Sequence, residues 1–160
     1  MLKRLRRELG FLAWLIPISL SEWELIKTYK SYGVPPNHRA ISRIAKGDLL
    51  VFYVKKLGGR NLGGHIVGIF EVASDWYLCT EHNTENLPEE ECKRYPVRIK
   101  VKPLITGKLN LWDIKDKLTF IKRKDNPSYY LKGTPANANR PLPPEDLELI
   151  SKLLLQSSSS

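Results

Sequence analysis

The chain has 160 residues, a length typical of one domain and sufficient to bury a hydrophobic core. Its composition, 42% hydrophobic and 27% charged, excludes an intrinsically disordered chain. Lys and Arg outnumber Asp and Glu by 26 to 17, so the net charge of +9 favours a polyanionic partner. Cys79 and Cys92 are the only cysteines, which excludes a disulfide-dense secreted scaffold, and we expect both to be free thiols.

The N-terminal segment has some features of a signal peptide. Four basic residues within positions 3–7 precede an apolar run over 9–20. The run is too short to span a bilayer, contains Pro17, and is not followed by a small-residue cleavage site. We therefore predict a basic extension over 1–11 and a first strand over 12–18, in a cytoplasmic protein with no membrane partner.

Hydrophobic periodicity and turn residues predict the elements that follow. Ser21 and Glu24 have the spacing of a capping box, so a helix is expected over 22–30, ended by Gly33 and two prolines. Further strands are predicted over 49–56, 65–72, 95–102, 118–122 and 128–132. A short helix is expected from Asn110 and an amphipathic helix over 145–155. This pattern predicts a mainly β, α+β fold: a small closed or nearly closed β-barrel flanked by short helices.

Polar segments separate these elements. The glycine-rich stretch 58–64 invites interpretation as a phosphate loop, but a strand follows it rather than a helix, which favours a hairpin loop. The stretch 81–91 is acidic and without periodicity, so we expect an exposed loop. Residues 136–144 are predicted as an Asn/Pro-rich loop and 157–160 as a disordered serine tail, which places the domain over 12–156.

Apolar and basic residues alternate along most of the strand predicted over 95–102. Its odd-numbered residues are apolar, and Arg98, Lys100 and Lys102 occupy the other side. We therefore expect a basic stripe along one face of this strand.

No arrangement of residues points to catalysis. Cys79, His82 and Cys92 form the only metal-like grouping, and their spacing matches no standard zinc site. His38 and His65 stand alone in sequence, which favours hydrogen-bonding roles over general-base roles. We therefore predict a protein that is not an enzyme and holds neither metal nor cofactor, with a zinc-dependent nucleic-acid enzyme as a distant alternative.

Aromatic residues are concentrated in the first half of the chain. Aromatic faces stack on nucleic-acid bases, and amide or hydroxyl groups pair with the polar edge of a base. Asn37, His38 and Ser19 are candidates for such polar partners. For Trp14 a core role is favoured, whereas for Tyr32, beside Gly33, a core role and a binding role are evenly balanced.

Several motifs in order resemble EVE domains. The opening stretch 14–19 with Glu22 and Trp23, the loop 32–38 (YGVPPNH), and the Gly-Asp turn at 47–48 followed by LLVFY are similar to the corresponding family segments. The strand 67–72 (VGIFEV), the segment 95–98 (YPVR), the segment 118–122 and the helix 144–150 complete the pattern. The resemblance covers 13–155, with Tyr32 where many members have Trp.

The resemblance implies a PUA-like fold related to the YTH readers of methylated adenine. It implies a non-catalytic module that admits a modified base of RNA or DNA, single-stranded or flipped, into an aromatic-lined pocket. The implied pocket comprises Trp14, Ser19, Tyr32, Gly33, Val34, Asn37, His38 and Tyr53. Arg98, Lys100 and Lys102 are the implied contacts to the nucleic-acid backbone. The alternative is an adaptor that binds a protein or a small molecule through the same pocket.

Overall fold

The computed structural model describes residues 2–131 and 140–158. Within them the strands are β1 Ala13–Ile18, β2 Ser31–Val34, β3 Leu49–Val54, β4 His65–Val72, β5 Tyr77–Leu78 and β6 Val97–Asn110. The α-helices are α1 Leu2–Leu9, α2 Leu20–Tyr29, α3 Ala40–Arg43, α4 Glu89–Arg94, α5 Leu111–Ile114 and α6 Pro144–Ser158. Short 3₁₀ turns span Arg60–Leu62, Lys115–Lys117 and Pro127–Leu131.

The strands form one curled mixed sheet in the order β1-β3-β4-β6-β2, with β5 also on β6. β1 and β3 are parallel and the other pairs antiparallel. The 14-residue β6 pairs with β2 and β5 near its start and with β4 along the rest of its length. The result is a half-barrel with several short helices and a C-terminal helix, which confirms the predicted barrel-like fold class.

Both faces of the sheet are apolar. Trp14, Phe52 and Phe70 share one face with Trp23 of α2, and this first face also buries β2. Val51 and Tyr53 belong to the second face, which α5 and α6 cover. Strands covered on both faces read as continuous apolar runs, and this explains why the limits of β4 agree with the predicted 65–72.

The wholly buried carboxylate of Asp48 joins α1, β1 and the turn before β3. It accepts hydrogen bonds from Arg6 Nε (2.9 Å) and Nη2 (2.8 Å) and from the indole Nε1 of Trp14 (3.0 Å). The backbone N–H groups of Leu12 and Ala45 donate to the same carboxylate. Burial of a carboxylate is costly unless it is paired and hydrogen-bonded, and here both oxygens are satisfied.

The first part of the chain has three features that the sequence did not predict. Helix α1 occupies most of the stretch treated as a basic extension, and Arg6 holds it against Asp48. The capping box that begins α2 is Ser19 with Glu22, two residues before the predicted pair. Residues 31–34, expected to belong to the loop after the helix, instead form β2, which pairs with β6.

The last part of the chain differs from its prediction. Residues 118–122 are not a strand, because Asp146 of α6 accepts hydrogen bonds from the backbone N–H groups of Thr119 and Phe120. A 3₁₀ turn replaces the strand predicted at 128–132, whose last residue lies outside the described residues. Ser157 and Ser158 are helical rather than part of a disordered tail. The helix predicted after Asn110 is confirmed, with Asn110 as its N-cap.

Cys79 and Cys92 form a disulfide, with sulfurs 2.07 Å apart and Cα atoms 5.6 Å apart. The expectation of two free thiols is therefore wrong. The separation of the two cysteines in the sequence does not show that α4 places Cys92 beside Cys79, at the end of β5. The bond also removes both thiols from the zinc alternative.

Replacing the buried acid tests the structural role of Asp48. Asp48→Ala leaves Arg6 and the indole of Trp14 without their acceptor, so we expect the free energy of unfolding to fall by about 3–5 kcal/mol. Glu8→Gln is the control, because the exposed pair of Glu8 with Arg4 contributes less than about 1 kcal/mol. Chemical denaturation measures both changes, and equal losses would contradict the assignment.

Candidate ligand-binding cleft

A narrow polar cleft lies between α2, β2 and the start of β6. It is lined by Glu22, Leu25, Ile26, Ser31, Tyr32, Gly33, Glu91 and Arg98. Its free volume is about 10 Å³, which is room for about one water molecule. The cleft combines apolar walls from α2 with a cation and carboxylates, the mixture expected of a site that recognises a partly polar ligand.

The guanidinium of Arg98 is the central group of the cleft and is only 1% exposed. Its Nε donates to Ser31 Oγ (2.7 Å) and its Nη2 to the carbonyl oxygen of Ser31 (3.3 Å). Nη1 donates to the carbonyl oxygen of Tyr95 (3.2 Å) and lies 3.5 Å from Glu91 Oε1. These partners provide the compensation that a buried cation requires.

Gly33 makes room for this cation. A Cβ atom at position 33 would lie 2.1 Å from Arg98 Nη1 and 2.7 Å from Cζ. The planar guanidinium therefore packs directly on the backbone of β2, where any larger side chain would collide with it.

The electrostatics of the cleft depend on burial. Burial lowers the pKa of Arg98, and the neighbouring carboxylate of Glu91 opposes that shift. An arginine nevertheless stays protonated in proteins. Burial and the hydrogen bond to Glu85 raise the pKa of the Tyr77 hydroxyl to about 12. The cleft therefore presents a permanent cation balanced by carboxylates.

Two of the predicted pocket residues, Tyr32 and Gly33, line this cleft. The buried side chains of Tyr32, Trp14 and Val34 belong to the core of the first face, where the Tyr32 ring lies 5.8 Å from that of Phe52. Tyr53 lies on the second face, so the sheet separates it from them.

The polar residues predicted for the pocket have local structural contacts. Ser19 caps α2 through Glu22. Asn37 is exposed, with a φ of 63°. The half-buried His38 accepts a hydrogen bond at Nδ1 from the backbone N–H of Ala40, and burial lowers its pKa. Ser19, Asn37 and His38 do not line the cleft.

The predicted backbone contacts divide into two kinds. Lys100 and Lys102 are exposed on β6, as the basic stripe requires. Arg98 has the same strand parity but is buried, because β2 and β5 pair with this part of β6 and α4 places Glu91 beside the guanidinium. Arg98 therefore lies on the predicted basic side of the strand but, unlike Lys100 and Lys102, is not exposed.

Sequence reasoning missed most of the remaining cleft residues. Leu25 and Ile26 follow the capping box on α2, so the periodicity of that helix offered a weak signal. Ser31 and Glu91 carried none, because their positions depend on strand pairing and on the disulfide. The acidic stretch around Glu91 pointed only to an exposed loop.

A second, larger cavity lies away from these residues, between α1, β1 and α6. Its volume is about 570 Å³ and its lining is mostly apolar. Leu5, Leu9, Phe11, Leu142 and Leu147 contribute to its walls. Leu9 and Phe11 are themselves exposed.

Within residues 2–131 and 140–158, no group of three or more His, Cys, Asp or Glu side chains is arranged to hold a metal ion. No helix in the same ranges is long and apolar enough to cross a membrane.

Solved structures define the class of fold. The YTH domain of the Zygosaccharomyces rouxii MRB1 protein, in complex with N6-methyladenosine RNA, superposes with a TM-score of 0.59 at 15% identity, covering 89% of this chain and 86% of that one. The CPSF4-YTH domain of Toxoplasma gives 0.61 at 14% identity, covering 91% and 87%. The half-barrel is therefore YTH-like.

Sequence comparison is more specific than the fold. A model of the EVE domain matches residues 13–153. A UPF0310 protein of Saccharolobus solfataricus is 36% identical over 147 residues, which is 90% of this chain and 95% of that protein. The chain belongs to the EVE domain family, as the sequence motifs predicted.

Gly33→Ala tests the packing of the guanidinium on β2. The added methyl group displaces Arg98 from charged hydrogen bonds, so we expect the free energy of unfolding to fall by about 2 kcal/mol or more. The control is the same substitution in an Arg98→Ala background, where only the close approach of the new Cβ to the carbonyl oxygen of Tyr95 (2.9 Å) remains and the loss is expected to be smaller by about 1 kcal/mol or more. Additive losses in thermal or chemical denaturation would contradict this packing.

The raised pKa of Tyr77 predicts how stability depends on pH. The hydroxyl has a pKa of about 12 in the folded chain and about 10 when unfolded. The folded state therefore binds this proton more tightly, and its contribution is complete below pH about 10 and is lost as the pH rises through about 12. We expect Tyr77→Phe to lose less stability than the wild type over this interval, and parallel denaturation profiles would overturn the prediction.

Proposed function

We propose that this protein is a non-catalytic reader module that binds nucleic acid and recognises a modified base in the cleft beside Arg98. One observation carries the proposal: nearly the whole chain shares its fold with a YTH domain that was solved with N6-methyladenosine RNA. The net charge of +9 and the family membership support it.

The cleft offers the interactions that a base needs. The planar guanidinium of Arg98 lines the cleft, packed on Gly33, and would serve as a stacking surface for a base once the cleft opens. Leu25 and Ile26 supply an apolar wall against which a methyl group would pack. Since one buried methyl group is worth about 1–3 kcal/mol, we expect a preference of roughly ten- to a hundredfold for the modified base.

Insertion of a base requires a change in the cleft. The present free volume is about 10 Å³, far less than a base occupies. The half-buried Leu25 and the carboxylate of Glu91 border it and are the side chains whose displacement would enlarge it. Rearrangement of interface side chains on binding is common, and a flipped base carries its own cost of a few kcal/mol.

The exposed lysines of β6 supply the backbone contacts in this proposal. Lys100 and Lys102 continue the strand that holds Arg98, so a phosphate strand along β6 would reach them. Such contacts are independent of sequence and weaken as salt rises.

One observation favours the alternative of an adaptor for a small molecule. The cavity between α1 and α6 has a volume of about 570 Å³, within the range of small-molecule sites, and its apolar lining suits an apolar ligand. This site differs from the shared pocket that the sequence suggested for an adaptor.

The test is a panel of single-stranded RNA and DNA oligonucleotides, each with and without one methylated base, measured by fluorescence anisotropy at low and moderate salt. We expect one modified base to bind roughly ten- to a hundredfold more tightly than its parent. Leu25→Trp, which fills the cleft, should abolish that preference. Leu104→Trp is the matched control, because Leu104 is half exposed on β6 and does not line the cleft.

A double variant tests the contacts to the nucleic-acid backbone separately from recognition of the base. Lys100→Ala with Lys102→Ala should weaken every oligonucleotide alike and leave the preference intact. The absence of binding to any oligonucleotide at low salt would refute the reader proposal. In that case, saturable binding of an apolar fluorescent probe, lost in Phe11→Asp, would support the adaptor.

A further inference from the structure

The most acidic part of the chain lies against its most deeply buried arginine. Residues 79–92, here called the acidic flap, contain five Glu and no Lys or Arg. Without these five negative charges the net charge of +9 would be +14. The flap therefore concentrates negative charge within a basic protein.

The flap is a closed and internally ordered unit. The disulfide between Cys79 and Cys92 joins its ends. Leu87 is buried and packs with both cysteines against Tyr29. The side-chain amide of Asn83 donates to the carbonyl oxygen of Leu87 and accepts from its N–H group, each at 2.9 Å. An ordered unit of this kind holds its carboxylates in fixed positions.

Two of those carboxylates contact the cations of β6. Glu91 Oε1 lies 3.5 Å from Arg98 Nη1, and Glu85 Oε1 lies 4.0 Å from Lys100 Nζ. Arg98 and Lys100 are alternate residues of one strand, so the flap spans the same stretch of β6 that a phosphate strand would follow. Glu89 and Glu90, by contrast, are exposed, and the salt bridge of Glu89 is with Lys93 of the same helix.

The cleft has no room for both the carboxylate of Glu91 and a nucleotide. Its free volume of about 10 Å³ leaves no space for a nucleotide beside Glu91. A nucleic-acid strand that uses Arg98 must therefore displace that carboxylate. If the phosphate of the inserted nucleotide replaces Glu91 at Arg98 and a neighbouring phosphate replaces Glu85 at Lys100, each cation exchanges one anion for another and the cost of displacement is lower.

We propose that the acidic flap is an internal stand-in for a nucleic-acid backbone, which occupies Arg98 and Lys100 until a phosphate strand takes its place. This inference rests on the proposed reader function and adds a competitor within the chain. The flap lowers the apparent affinity because only the fraction of molecules with an open flap is competent to bind.

The experiment compares two double variants that remove the same charge from the same flap. Glu85→Gln with Glu91→Gln weakens both contacts to β6, and each glutamine keeps an acceptor oxygen for Tyr77 or Arg98. Glu89→Gln with Glu90→Gln is the matched control on the exposed side of α4. Both are measured with the wild type for binding to a fluorescent single-stranded oligouridylate at several salt concentrations.

We expect the Glu85/Glu91 double variant to bind the oligouridylate at least about fivefold more tightly than the Glu89/Glu90 double variant, which changes only the long-range electrostatic field. Cys79→Ser with Cys92→Ser, which opens the flap and keeps all five Glu, should also raise the affinity. Circular dichroism confirms that each variant is folded, and the cysteine variants provide the test should the Glu85/Glu91 pair unfold.

The experiment distinguishes failure of the flap inference from failure of the reader function. If the wild type binds and both glutamine pairs gain equally, or neither gains, the flap does not compete and this inference alone is overturned. If no form of the protein binds the oligonucleotide at low salt, the reader function is overturned and the inference falls with it.

Discussion

Burial of the Arg98 guanidinium constrains everything around the cleft. A cation that is 1% exposed must be paired and hydrogen-bonded, so β2 has to present both the hydroxyl and the carbonyl of Ser31 to it. The same cation requires a glycine at position 33, since no Cβ atom fits beneath it. It also requires an anion from α4, whose position depends on the disulfide. The buried charge of Arg98 therefore links β2 to α4 and its disulfide, which are distant from β2 in the sequence.

Much of the fold was predictable because it depends on local patterns. The strand His65–Val72 is an apolar run buried on both faces, and its limits follow from the residues themselves. The segment 118–122 has a similar composition but is not a strand, because Asp146 takes two of the N–H groups that a neighbouring strand would need. The capping box was ambiguous for a related reason. Ser19-Glu22 and Ser21-Glu24 have equal spacing, and the pairing of Ile18 with Val54 decides between them.

The cleft was less predictable than the fold. Strand alternation correctly placed Arg98, Lys100 and Lys102 on one side of β6, but only the pairing of β2 and β5 decides that Arg98 is covered. The resemblance to EVE domains placed Tyr53 in one pocket with Tyr32. The sheet separates them, because Phe52 and Tyr53 are consecutive in a strand and face opposite sides. Resemblance identified the family, whereas the neighbours of each side chain required the structure.

The acidic flap offers a physical route to selectivity in a basic module. Phosphate contacts are the same for every strand, so a protein with a net charge of +9 risks binding nucleic acid indiscriminately. Under the proposed function, a strand that inserts no base gains the exposed Lys102 while Glu91 stays on Arg98. A strand whose base fits the cleft displaces Glu91 and gains the stacking surface together with the cation. Insertion of the base and pairing of Arg98 with the phosphate of the same nucleotide then occur together, and the modest energy of one methyl group is not overwhelmed by contacts that every strand can make.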